Sequence, residues 1–275
     1  LYPEGPIDPE LGMLFLKSPS GTITSGLFNF SNHTDTKGGT EFSADFPAFL
    51  SRELKTEFGS GFISVYGQGA CGNINHVNIR SRDRLTSSQI GRGLAQAILK
   101  NNHKLTDLKN GILKVQSEIV HAPLQHFTAQ DLQWANQAQP ENLYGESAFF
   151  ERRRPMKVRS LARMRQKEAV PPTIPSGEWK IPLEIQAFQI HDDLAIVGLP
   201  GEVFVELGLA IKEQSPYSHT FVIELTNSHI AYVPTKEAFS RGGYETINSR
   251  LAPGGGEMMV ESAVRLLRKL KNNEE

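Results

Sequence analysis

Short apolar runs of strand length alternate along this chain with segments whose apolar residues recur every three or four positions. That alternation constrains the fold more than any other feature, because it implies an α/β domain of layered helices and sheet. Residues 62–66, 194–197 and 220–225 are strand-type runs. Residues 86–100 carry Ile90, Leu94 and Ile98 at helical spacing. Two hairpins are expected. One joins 11–17 to 22–30 through Pro19, Ser20 and Gly21; the other joins 183–190 to 194–197 through His191, Asp192 and Asp193. Hairpins pair strands antiparallel and helical crossovers pair them parallel, so the sheet is predicted to be mixed.

Further helices are predicted over 45–55, from Thr128 onward, over 203–214, and over 258–271, where Val260, Val264 and Leu267 form the apolar stripe. Residues 112–120 read as a strand, and the glycine-rich stretch 242–256 as a long loop. Residues 152–167 hold eight Lys or Arg in sixteen positions and are predicted helical. Burying that many cations needs partners, so 152–177 is expected to be a peripheral insertion. No repeat or linker divides the chain, and residues 1–275 are read as a single domain.

Composition excludes several classes. Charged residues make up 21% and hydrophobic ones 39%, as in ordinary globular proteins. The formal net charge of −1 argues against a dedicated nucleic-acid binder. No apolar stretch approaches the roughly 20 residues of a membrane helix, and no signal peptide is evident. Cys71 is the single cysteine, so an internal disulfide is impossible.

Chemistry is expected where strands end, because α/β sheets place their sites there. Three turns qualify. In the first, Asn29-Phe30-Ser31-Asn32-His33-Thr34, His33 is a metal ligand, a general base or a satisfied histidine at the core edge. In the second, Gly198-Leu199-Pro200-Gly201-Glu202, the carboxylate either serves the site or favours the start of a helix. The third, 226–235, is polar and bears Tyr232, with Tyr244 twelve residues further on. Asp45 either orients His33 or caps the helix after it. The turn Gly67-Gln68-Gly69-Ala70-Cys71-Gly72 has the look of a dinucleotide loop but lacks the acidic partner and the helix. Neither a zinc-protease nor a nucleophile-elbow motif is present.

Taken together, these turns resemble the neutral/alkaline non-lysosomal ceramidase family. The resemblance rests on NFSNHTDTKGGTEFSADFPAFL (29–50), GQGACGNINHVN (67–78), GLPGEVFVELG (198–208) and TNSHIAYVPTKEAFSRGGYET (226–246), in that order. It implies the C-terminal part of that family's catalytic domain. By the same resemblance His33, Glu202 and Tyr232 are ligands of a zinc ion, and Tyr244 contacts the reacting group. The family's remaining histidine ligand sits in a His-x-His motif, which this sequence lacks. A further segment, covalent or as a companion chain, is therefore expected to supply it. Asn75 stands where the family carries a serine, and an amide cannot replace a hydroxyl in proton transfer or attack.

The function so implied is zinc-dependent hydrolysis of an amide bond in a small-molecule or lipid substrate; N-acyl sphingosine is the family's own, and Asn75 in place of the serine points to a different amide or ester here. A sphingolipid-related role and a secreted or periplasmic location rest on the resemblance alone. One alternative is a non-catalytic binding or assembly subunit with a degenerate metal site. Another is a metal-free hydrolase using His76 or Cys71.

Overall fold

Two mixed sheets, rather than one, carry the chain. A computed structural model describes residues 3–78, 80–81, 83–138, 146–171 and 174–273. The first sheet holds β1 (Gly12–Lys17), β2 (Ile23–Phe30) and β3 (Ile63–Gln68), in that order. β1 and β2 pair antiparallel. Their turn closes when Gly21, left-handed at φ 86°, donates its amide to Ser18 O. β2 and β3 pair parallel, so the chain must cross over, and helix α1 (Asp45–Phe58) makes that crossing. Helix α2 (Ser87–Asn101) starts with a capping box between Thr86 and Gln89. α1 and α2 close one core around Phe28, Phe46, Leu50, Phe62, Leu94 and Ile98.

The second sheet begins with β4 (Lys114–Pro123). Helix α3 (Ala129–Gln137), opened by a Thr128–Asp131 capping box, and α4 (Glu146–Lys167) precede β5 (Lys180–His191) and β6 (Leu194–Gly198). The two-residue β7 (Glu202–Val203) and helix α5 (Val205–Gln214) lead to β8 (His219–Ile223). Strand order is β4-β5-β6-β8, antiparallel except for the β6–β8 pair. Beyond β8 come β9 (Tyr232–Val233), α6 (Lys236–Arg241), α7 (Tyr244–Asn248) and α8 (Gly255–Asn272). The apolar stripe of α8 packs on β4 and β5, and Leu267 shares a core with Leu183, Ile185, Val197 and Ile211.

Some expectations need correction. The strands that lead to His33 and to Glu202 belong to different sheets. The stretch 242–256 is not a loop throughout, since α7 and the first two residues of α8 lie within it. Strands β7 and β9 escaped notice because two residues carry no periodicity. The basic helix α4 sends Leu161 into the larger core and buries Arg165, whose guanidinium lies 3.9 Å from the Phe127 ring centroid and 5.3 Å from that of Trp179. The aromatic faces are what let a cation sit there. Among the described residues no helix is long and apolar enough to cross a membrane.

The two sheets meet where β3 and β8 end. The buried side chain of Asn29 donates to Gly67 O and to Val222 O, each at 2.9 Å. Beside it Glu224 N donates to Gln68 O at 2.9 Å. This seam brings the end of β2, and so His33, to the same edge as the turns after β6 and β8.

Candidate active site

The chain leaving β6 turns sharply through Leu199, Pro200 and Gly201. Gly201 has φ 81°, and a Cβ there would lie 2.6 Å from Ile230 Cγ1 and 2.7 Å from Ala231 O. Only glycine lets this turn press so closely on the segment beyond β8. The chain then enters β7. Glu202 N donates to Ala231 O at 3.0 Å and Phe204 N to Val233 O at 3.1 Å, which sets Glu202 directly across from Tyr232 in parallel register. The parallel register sets the Tyr232 and Glu202 side chains next to each other on the paired strands. Burial, and then the Glu202 charge, hold the Tyr232 phenol above its ordinary pKa. The Tyr244 ring stands edge-on to Tyr232, centroids 5.6 Å apart at 69°. His229 Nε2 lies 3.5 Å from Glu202 Oε1.

His33 enters from the other sheet. Its Nδ1 is 3.8 Å from Cys71 Sγ, and Cys71 Sγ donates to Glu224 Oε1 at 3.1 Å. Glu224 is a buried hub. Gln68 Nε2 reaches its Oε1 at 2.8 Å, while Val203 N and Cys71 N reach Oε2 at 2.7 and 3.3 Å. Burial pushes this carboxyl up to about 7, against those hydrogen bonds, which favour its charged form. Burial pushes the Cys71 thiol up as well, followed by the Glu224 charge and hydrogen bond and then by the charges of Glu202 and Asp35. A thiol held protonated is a poor nucleophile, which counts against hydrolysis by Cys71. Burial also holds the Glu245 carboxyl above its ordinary value.

The remaining candidates lie further out. Asp45 accepts from Thr36 Oγ1 at 2.5 Å, from Lys37 N at 2.9 Å and from Phe46 N at 2.6 Å. It therefore organises the loop before α1, and among the described residues it makes no hydrogen bond to His33. The helix N-cap position itself is Ala44. Asn75 is exposed on its turn. His76 Nδ1 sits 3.3 Å from Asp35 Oδ1. Sequence reasoning passed over Glu224 and Glu245. The signal for Glu224 was an acidic residue at the end of an apolar strand, where a lone charge is costly.

The donor chemistry here fits zinc, which accepts imidazole nitrogen, carboxylate and phenolate oxygen, and thiolate sulfur. His33, Cys71 and Glu224 each offer an atom within 4.8 Å of the others. Glu224 already accepts four hydrogen bonds and serves as scaffold. A cavity of about 530 Å³ opens beside the site, walled by Glu202, Tyr232, Tyr244 and His229 on one side and by α4 on the other. Arg153 of α4 lays its guanidinium 5.6 Å from the Tyr244 ring centroid.

No protein-family model and no curated protein matches the chain. Solved structures do. A neutral ceramidase from Pseudomonas aeruginosa superposes with a TM-score of 0.68 at 17% identity, over 98% of this chain and 47% of its own. A structure described as a ceramidase complexed with C2 gives 0.68 at 16%, over 98% and 49%. The chain thus spans about half the length of these neighbours, and at such identity the likeness establishes a shared fold.

Proposed function

We propose that the site hydrolyses an N-acyl amide with zinc held by His33, Glu202 and Tyr232. The observation that carries this is the Glu202–Tyr232 pair, set in register at the mouth of a cavity with Tyr244 against it. The ceramidase-like fold supports it. Zinc bound to these side chains would polarise the scissile carbonyl and acidify a water molecule. The chain's own groups do the rest. Tyr244 donates a hydrogen bond to the developing oxyanion, and Arg153 steadies its ring. Glu224 fixes Cys71 and Val203, and through them the spacing between His33 and Glu202. The fourth donor is a histidine from a segment outside residues 1–275 or from a companion chain.

Metal analysis of protein purified without chelator, paired with assays of acyl release from amides of varied headgroup, tests this. About one zinc per chain is expected once the fourth donor is present, with hydrolysis lost on chelation and restored by zinc. Stoichiometric zinc without release from any acyl amide would overturn the catalytic role and leave a binding subunit. Zinc held stoichiometrically by residues 1–275 alone, and lost in His229→Ala, would move the fourth donor to His229.

A further inference from the structure

The cavity beside Glu202 has an uneven charge. Arg153, Lys157, Arg159 and Arg163 reach it from α4, and Arg250 from the chain ahead of α8. Positions 153 and 157 share one side of α4, and 159 and 163 another, and both pairs border the cavity. Among the described lining residues Glu202 is the one carboxylate. Lys157, Arg159, Arg163 and Arg250 take part in no ion pair among the described residues.

A solvated basic helix would point its cations outward. Two of these do otherwise. Lys157 Nζ is turned inward to the carbonyls of Ile247, at 2.8 Å, and Ser249. Arg159 has its Nε buried without a hydrogen-bond partner. Several cations gathered in a cleft without counter-charge are costly unless an anion completes them.

Resting on the hydrolase proposed above, we propose that its substrate is an N-acyl amide with an anionic headgroup, carboxylate or phosphate, received by Lys157, Arg159, Arg163 and Arg250. The acyl part of such a lipid amide is hydrocarbon, so the charge belongs to the amine part. Arg153, lying over the Tyr244 ring, connects the cationic wall to the reacting end of the cavity. Guanidinium groups bind carboxylate and phosphate through paired hydrogen bonds, which gives orientation as well as attraction. The state of Lys157 agrees: burial, then the Arg250 charge, depress its ammonium to about 7. A bound anion would supply the charge it lacks.

The test uses three probes with one lauroyl chain: N-lauroylethanolamine, neutral; N-lauroylglycine, a carboxylate; and N-lauroyl-O-phosphoethanolamine, a phosphate. Each is titrated calorimetrically, below its micelle concentration, into chelator-treated protein, where nothing turns over and no metal attracts the anion. One or both anions are expected to bind about tenfold tighter than the neutral amide at low salt. The anion that gains more identifies the headgroup. The gap should narrow with added salt and in Arg159→Gln/Arg250→Gln. Arg163→Gln, at an exposed position, guards against misfolding of that pair and should remove a smaller share. Equal affinity for all three probes, or a preference untouched by either variant, overturns the proposal. Hydrolysis of the three at equal rates with zinc would sink the headgroup assignment but keep the hydrolase. Preferential anion binding with no hydrolysis would do the reverse.

Discussion

The side-chain amide of Asn29 donates to the backbone carbonyl of Val222 at 2.9 Å and joins the two large sheets of the molecule. Its second hydrogen reaches Gly67 O, so one buried side chain satisfies acceptors on β3 and β8 together. Asn29→Ala should therefore cost about 2–3 kcal/mol, two hydrogen bonds plus the desolvation of the carbonyls left behind. Asn29→Asp should cost more, because a carboxylate would face carbonyl oxygens in a dry seam. Urea denaturation of the three proteins measures both. If Asn29→Ala unfolds at the wild-type midpoint, the seam is held by other contacts.

That seam also marks the limit of what the sequence could tell. Period and turn chemistry made both hairpins legible, as well as the Thr86 and Thr128 helix starts and the apolar stripe of α8. These are local features, and each is written within a dozen residues. The division into two sheets is not local, since the seam between them is made by Asn29 and by the Glu224–Gln68 backbone bond, which join segments far apart in sequence. Likewise β7 and β9 exist because Gly201 permits close approach and four segments donate or accept at their edges. The Glu202–Tyr232 contact had its only signal in motif order and resemblance. Glu224 had less, because a buried carboxylate is stabilised by donors that come from distant positions.

Glu224 makes a pH prediction with a definite sign. Its folded value, about 7, lies above the 4.5 of the unfolded chain. The folded protein therefore holds an extra proton between those values, and it loses stability as pH rises through that window. The change should be at most about 3 kcal/mol in chelated protein. Glu224→Gln cannot ionise, so its stability should vary less between pH 4.5 and 7, even if lost hydrogen bonds lower it overall. Denaturant midpoints taken across that range decide; parallel curves for wild type and variant would remove Glu224 as the cause.

Tyr244 should act on the reaction rather than on the fold or the metal. Its ring packs against Tyr232 and Arg153, contacts that phenylalanine retains. Tyr244→Phe should lower kcat about 100-fold, the usual effect of losing one oxyanion donor. KM and zinc content should stay near wild type. Tyr232→Phe, in contrast, should lose zinc along with activity. If both variants keep full metal and full rate, the tyrosines only pack.

Gly72 tests how tightly the position of Glu202 is set. A Cβ at Gly72 would lie 2.4 Å from Glu202 O, a backbone atom that no rotamer change can move aside. On the same contact Gly72 N donates to Val203 O at 2.8 Å. Meanwhile Val203 N is held by Glu224, and Glu202 N by Ala231 O. β7 is thus fixed on both edges and has no free direction in which to yield. Gly72→Ala should cost about 1–3 kcal/mol, the range for overpacking a tight site. It should also slide Glu202 out of register with Tyr232. Zinc affinity and acyl-amide hydrolysis should then fall together, even at temperatures where the variant remains fully folded. A folded Gly72→Ala protein with wild-type zinc affinity would show that Glu202 can shift without losing the metal, and that the ligand set must be sought elsewhere around His33 and Cys71.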